Sequence, residues 1–429
     1  MNSRFSKIML TASLSLACLP VFGQTTRDEM FATIEKTGGV YYAYPAPKAT
    51  QNTPAPKGYT PFFINHYSRH GSRYLISHKD YLRVKDLLVR ADKAGALTEK
   101  GRDVLSRLTV VCQEVDGTEG DLTPLGRREH RGIAERIYKA YPEVFAKGDS
   151  ISARSTIVPR CAMSMVAYGD RLKELNPSLT IYYEMSEKYM DYLNYHTDES
   201  NRFTDGNNGP WVEEYRKFKE EHTRPDRLVA SIFSSDEFVR KEVNPGEFMW
   251  GMYWIASNMQ NLESKVSFYD VFEKEELFDL WQCANYQFYV GNANHAAGNG
   301  IVVANAKNLL RNILESADAA LADPKLCAVL RFGHDGNVIP LAAIMRIKNF
   351  NVAVSEPEEL YKYWCNFQVV PMAGNIQMVY YNKKGGKAED VLVKILHNEQ
   401  EVEIPVKTDM FPYYKWSDVK AFYQDILEK

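Results

Sequence analysis

Arg69-His70-Gly71-Ser72-Arg73 sets two guanidinium groups around one imidazole within a five-residue run. A guanidinium keeps its charge throughout the working pH range, and its planar fork of N–H donors matches the oxygens of a phosphate group. Two of them therefore describe a pocket for a dianion. An imidazole nitrogen between them can attack phosphorus in line and accept the phosphoryl group as a phosphohistidine. Gly71 lets the backbone turn tightly beside the imidazole. A solvated basic turn is the plainer reading of the same five residues.

Two later segments carry residues of matching chemistry. In Ser155-Thr156-Ile157-Val158-Pro159-Arg160, Thr156 is a good helix cap and Pro159 is tolerated only in a first turn, so Arg160 is expected near a helix N-terminus. The helix dipole disfavours a cation there, unless an anion shares the site. Taken alone, Arg160 reads equally well as a surface arginine. In Gly333-His334-Asp335-Gly336-Asn337 a second histidine is followed by a carboxyl group. Cleaving a phosphoester requires a proton for the departing alkoxide, and an acid beside a bound dianion, whose charge raises the carboxyl pKa, can supply it. Helix capping by Asp335 beside a buried, structural His334 is the alternative.

These segments need elements to hold them. The aromatic and apolar run Tyr59 to Ser68, bounded by Gly58 and Gly71, predicts a buried strand ending where the Arg69-His70 loop begins. Helical patterns follow at 79 to 95 and at 124 to 141, the second opened by Thr123-Pro124. A short strand ends near Arg154, a helix runs from after Thr156 to about Leu172, and Leu179 to Tyr183 is the next strand. From 186 to 300 strand signals vanish and helical spacing dominates, as at 211 to 222 and 268 to 290. Alternation then resumes, with helix 301 to 321, strand 326 to 333, helix 338 to 348, strands near 375 to 382 and 390 to 397, and a last helix at 416 to 428. The expected fold is α/β: a mainly parallel sheet flanked by helices, binding ligands at the carboxyl ends of its strands, with a mostly α-helical inserted domain.

The expected organisation is a signal peptide over 1–23, an extended N-terminal segment over 24–58, an α/β domain over 59–185 and 301–429, and a helical insertion over 186–300. Arg4 and Lys7 precede a mostly apolar run from Ile8 to Phe22 that stops before the polar Gln24 to Arg27, the pattern of a cleaved secretory signal. That run is short of the ~20 residues a membrane span needs. A lipoprotein signal ending at Cys18 fits less well, because Ser15 stands where leucine is usual. A periplasmic or secreted location follows, with no membrane attachment after signal removal. Losing Arg4 and Lys7 takes the 52 basic residues to 50 against 55 acidic ones, with no block of like charge, so nothing points to nucleic acid.

Five cysteines remain, Cys112, Cys161, Cys283, Cys327 and Cys365, an odd number that cannot pair completely. Cys112 and Cys327 lie in strand-like apolar runs, where cysteine is usually a small buried hydrophobe. No Cys-x-x-Cys or metal-ligand spacing is present.

Together the three segments resemble the histidine acid phosphatases, the second branch of the histidine phosphatase superfamily, which includes acid phosphatases, histidine-type phytases and multiple inositol polyphosphate phosphatases. The likeness covers about 59 to 185 and 300 to 350. It implies His70 as nucleophile, Arg69, Arg73 and Arg160 as phosphate ligands, His334 as a further ligand and Asp335 as proton donor. It also implies an α/β domain with a variable α-domain, a small phosphate ester as substrate, and no metal or cofactor. Two departures stand out. Leu75 occupies the place of the family's usual proline, and inositol polyphosphate phosphatases often carry His-Ala-Glu where this chain has His334-Asp335-Gly336. The substrate expectation is an inositol phosphate such as phytate, with sugar or other small phosphate esters as the alternative. A phosphomutase of the other branch lacks the His-Asp pair, and a pure phosphate-ester binder has no use for a nucleophile and an acid.

His66, His78, His130, His222 and His397 fall in strand or helix patterns and read as structural or surface residues. His196 and His295 lie in loop-like stretches of the insertion. His196, with Tyr192, Tyr195 and Arg202, is a candidate substrate contact, a solvated loop being the plainer reading. Arg127 and Arg128 are open between pocket and solvent.

Overall fold

A computed structural model describes residues 22–47, 52–146 and 149–429. The expected signal peptide lies outside the described residues up to position 21, and its cleavage point after Gly23 falls in a helix, Phe22–Ala32.

The chain builds one eight-stranded sheet from β1 (Tyr59–Arg69), β2 (Ser150–Ser155), β3 (Thr180–Met185), β4 (Leu326–Gly333), β5 (Asn375–Lys383), β6 (Leu392–His397), β7 (Gln400–Glu401) and β8 (Tyr413–Lys415). The order is β3-β2-β4-β1-β5-β6-β7, with β8 also on β6. β3, β2, β4 and β1 are mutually parallel, whereas β5 joins β1 antiparallel and β6 joins β5 likewise. The expected mainly parallel core is present, with an antiparallel flank added beyond β1.

Alternate residues of the strands serve two layers. Ile64, Ile151, Ala153 and Phe332 pack with Ile133, Ile137, Met165, Tyr168 and Leu172 of the helices Pro124–Ala140 and Pro159–Leu175. Phe63, Tyr67 and Val393 face the other way, into a core shared with Leu310, Ile313, Val338 and Val419 of the helices Lys307–Ala322, Asp335–Ile344 and Trp416–Glu428. That second core continues without a break through Phe248, Met252, Trp281 and Tyr289 of the helices Pro245–Asn258 and Lys274–Asn292.

Between β3 and β4 the described residues contribute no strand to the sheet, as the helical reading of 186–300 anticipates. The helical body is larger than that range. The helices His78–Lys93 and Glu99–Glu114, from between β1 and β2, pack on Pro245–Asn258 and Asp226–Ile232. Glu99–Glu114 also corrects the strand reading around Cys112. The β-branched Thr109-Val110-Val111 suggests a strand, but Val104, Leu108, Val111 and Cys112 form one buried helical stripe and Thr98 caps the start.

A second correction concerns 24–58. Phe22–Ala32 is helical and Ile34–Tyr41 forms a 3₁₀ turn that bends at Gly39 (φ 58°), so among the described residues of this segment only 42–47 and 52–58 lack helix. Burial drives this: Met30, Val40 and Tyr41 belong to the helical core.

Candidate active site

The sheet register brings the three motifs together. Arg69, the last residue of β1, pairs with Gly333, the last of β4, and Ser155 at the end of β2 pairs with Phe332. The loops that follow therefore leave from one carboxyl-terminal edge, where parallel sheets place ligands. The His70 N–H donates to the Gly333 carbonyl (2.9 Å) and the Thr156 N–H to that of Phe332 (3.0 Å), so all three loops are tied at their roots.

His70 is buried, and its Nδ1 lies 2.9 Å from the Gly71 carbonyl oxygen. A carbonyl only accepts, so the proton sits on Nδ1 and the lone pair on Nε2. Burial first, then Arg69, Arg73, Arg160 and His334, push the His70 pKa well below the ordinary imidazole value, and the ring stays neutral in acid.

Arg69 is wholly buried. One end of its guanidinium donates to the Val40 and Val370 carbonyls (2.6 and 2.8 Å), and Nη2 lies 3.0 Å from Asp335 Oδ2. Arg73 donates to its neighbour's Tyr74 carbonyl (2.8 Å), and its guanidinium stands 5.0 Å from the centre of the Tyr41 ring, with Nη2 3.3 Å from the Tyr41 hydroxyl. Arg160 is the second residue of Pro159–Leu175, at the helix N-terminus as expected, and its buried Nε has no hydrogen-bond partner. Burial, with Arg73 nearby, lowers its pKa. Among the described residues neither Arg73 nor Arg160 forms an ion pair, and the cluster's one ion pair is that of Arg69 with Asp335.

Thr156 does not cap that helix. Val158 occupies the cap position without a side-chain bond, and the Thr156 hydroxyl lies 3.2 Å from His334 Nε2 instead. The His334 and His70 rings are 5.7 Å apart, edge to face. Burial lowers the His334 pKa to about 4. Asp335 opens Asp335–Ile344, but its carboxylate reaches only the next N–H, that of Gly336 (2.9 Å), and otherwise faces Arg69. Burial alone would raise its pKa; Arg69, His334, Arg73 and the Gly336 N–H prevail and hold it below the ordinary aspartate range. All six residues singled out by their motifs thus converge on one spot.

Other expectations fare differently. His295 is buried, next to the Tyr286 hydroxyl (3.1 Å) and the Ala297 N–H, and His196 lies against Asn305. Tyr192 receives a hydrogen bond from Arg154, and Arg128 is paired with Glu263 at the surface. None of these contacts is with the six. Sequence reasoning missed Tyr41, which touches Arg73, and Glu129, which accepts from the Ser72 N–H and hydroxyl (2.7 and 2.8 Å) and from the Tyr44 N–H (2.9 Å). A signal for Glu129 was present: it falls on the buried helical stripe Gly126, Glu129, His130, Ile133, Ala134, Ile137. Tyr41 followed a Gly-Gly pair, Gly38-Gly39, inside a segment read as extended.

The five cysteines among the described residues are buried free thiols. Cys161 donates to the Gly333 carbonyl behind His334, and burial raises its pKa to about 12, which keeps it a thiol. No helix among the described residues is long and apolar enough to cross a membrane.

Comparison with known proteins fits this geometry. A family profile described as histidine phosphatase superfamily (branch 2) matches residues 64–398. The chain is 22% identical over 394 residues to the Gallus gallus protein named multiple inositol polyphosphate phosphatase 1, covering 87% of this chain and 83% of that one. The Bifidobacterium longum multiple inositol polyphosphate phosphatase, solved with inositol hexasulfate, superposes with a TM-score of 0.78 at 19% identity, over 90% of this chain and 97% of that one. The phytase from D. castellii gives 0.67 at 16% identity, over 92% and 85%. These solved structures share the fold. The match over most of the chain, from within β1 to the end of β6, is decisive: the chain belongs to the histidine phosphatase superfamily, branch 2.

Proposed function

We propose that the protein is a phosphomonoesterase working through a phosphohistidine, with inositol polyphosphates such as phytate as its substrates. The observation that carries this reading is a neutral His70, with its lone pair on Nε2, set among Arg69, Arg73 and Arg160. The arginines and His334 hold the ester's phosphate. His70 Nε2 attacks phosphorus as the P–O bond to the alcohol breaks, and protonated Asp335 gives its proton to the leaving oxygen. The Asp335 carboxylate then takes a proton from water, which attacks the P–N bond, releases phosphate and restores both groups. Fixed guanidinium charges stabilise the charge that builds on the transferring oxygens.

The substrate class is supported by the names of the relatives, two inositol polyphosphate phosphatases and a phytase. Export is supported by Arg4, Lys7 and the apolar run after them. The test is turnover of p-nitrophenyl phosphate and phytate between about pH 4 and 7 with chelator present, where a buried neutral imidazole remains a nucleophile. His70→Ala should abolish it, and quenched wild-type enzyme should carry phosphate on His70. An inactive wild type, or a His70→Ala variant of full activity, would sink the reading.

A further inference from the structure

Arg73 and Tyr41 reach the site from two distant stretches of chain, yet both stretches are held from behind by one carboxylate. Glu129, from the helix Pro124–Ala140, takes the Ser72 N–H on Oε2 (2.7 Å) and the Tyr44 N–H on Oε1 (2.9 Å), and its Oε1 shares the Ser72 hydroxyl (2.8 Å) with Asn261 Oδ1 (2.9 Å). Ser72 immediately precedes Arg73, and Tyr44 follows Tyr41 by three residues. Where the stretches meet again, the Arg73 guanidinium covers the Tyr41 ring and reaches its hydroxyl. The contacts form a closed circuit: Glu129, Ser72, Arg73, Tyr41, Tyr44 and back to Glu129.

We infer that Glu129 is the positioning residue for the phosphate-binding arginine Arg73, acting through Ser72 and Tyr44 and not by contact with the substrate. Among the described residues Arg73 forms no ion pair, so its direction is set by backbone placement, by the Tyr74 carbonyl and by Tyr41. A flexible side chain held from both ends gives up its freedom before the ligand arrives, and loses that advantage when either end is released. Only a carboxylate can serve all three donors. A glutamine could accept on one oxygen but would turn its NH₂ toward the remaining N–H. Burial raises the Glu129 pKa and makes its charged form costly, and the Ser72 and Tyr44 N–H groups, the Ser72 hydroxyl and nearby Arg69 work against that cost.

The inference rests on the phosphate-site reading, so the experiment measures binding of inorganic phosphate by calorimetry alongside kcat and KM for p-nitrophenyl phosphate. Glu129→Gln should weaken phosphate binding and raise KM by about 10-fold or more, with kcat falling less. Ser72→Ala, which keeps the Ser72 N–H bond, should show a smaller change in the same direction. Combined with Arg73→Gln, the Glu129→Gln loss should largely vanish, because both act on one guanidinium. Additive losses, or folded Glu129→Gln protein that binds phosphate like the wild type, overturn the inference. If Glu129→Gln does not fold, Ser72→Ala and its double variant decide by the same criteria. Wild-type protein that binds no phosphate overturns the phosphate site itself, which separates the two failures.

Discussion

The chemistry proposed at His70 depends on which ring nitrogen holds the proton, and the Gly71 carbonyl puts it on Nδ1. Asp335 poses the complementary question, because an acid must be protonated before it can give a proton. Arg69 and its neighbours hold the Asp335 pKa below the ordinary aspartate range. A bound dianion competes for Arg69 and repels the carboxylate, so binding of sulfate, a dianion at any such pH, should draw in on the order of one proton between about pH 5 and 6. Titrating sulfate in buffers of different ionisation heat measures this, and heats that do not change with buffer would contradict it. Asp335→Asn should slow alkyl phosphates far more than aryl phosphates, whose leaving groups leave without help; equal losses would remove Asp335 from the acid role. Arg69, His70, Arg73, His334 and Asp335 stood out in the sequence as charged or titratable groups in loops just past apolar strands, and Arg160 only in their company. Tyr41 did not, because a tyrosine is ordinary until tertiary contacts give it a partner, and Glu129 showed only as a glutamate on a buried helical stripe, with nothing local to say what it holds.

At the scale of elements, the catalytic loop and the helix Pro124–Ala140 touch backbone to backbone. A Cβ on Gly71 would lie 2.5 Å from the Gly126 carbonyl oxygen, and a Cβ on Gly126 would run into the Ser72 carbonyl. Either glycine replaced by alanine forces the two elements apart. Gly126→Ala should destabilise the fold by about 1–3 kcal/mol and also depress kcat/KM, as seen by denaturant titration and steady-state kinetics. Unchanged stability would mean that the contact is loose. Strand and helix positions around the sheet were legible because the apolar pattern is strong there, as at β4 and Trp416–Glu428. They failed where two local signals conflicted. Thr156 looks like a cap, but its hydroxyl goes to His334 and the helix waits for Pro159. Phe22–Tyr41 carries no strong pattern of its own and owes its turns to burial against the helical core.

For the whole molecule, the buried histidines set a limit in acid. His66, His130 and His397 are enclosed, and burial lowers their pKa values from 6.5 to about 3, 3 and 4. Between those values and 6.5 the unfolded chain binds protons that the folded chain refuses. Stability is therefore full above about pH 6.5 and falls as pH drops, by about 1.4 kcal/mol per unit for each such ring. Unfolding measured at steps from pH 7 to 4 should show this decline, reduced in His130→Gln, and a flat profile would rule it out. The nucleophile proposed at His70 tolerates acid, and it sits in a scaffold that does not tolerate it indefinitely. The unbroken core between sheet and helices has a further effect, on traffic. Halves that share one interior cannot swing apart to admit an ester or expel phosphate, so exchange falls to short surface turns such as Gly117 to Asp121, where Gly120 lies beside Arg160. Movements that small displace little solvent, and kcat should hardly respond to added glycerol or sucrose.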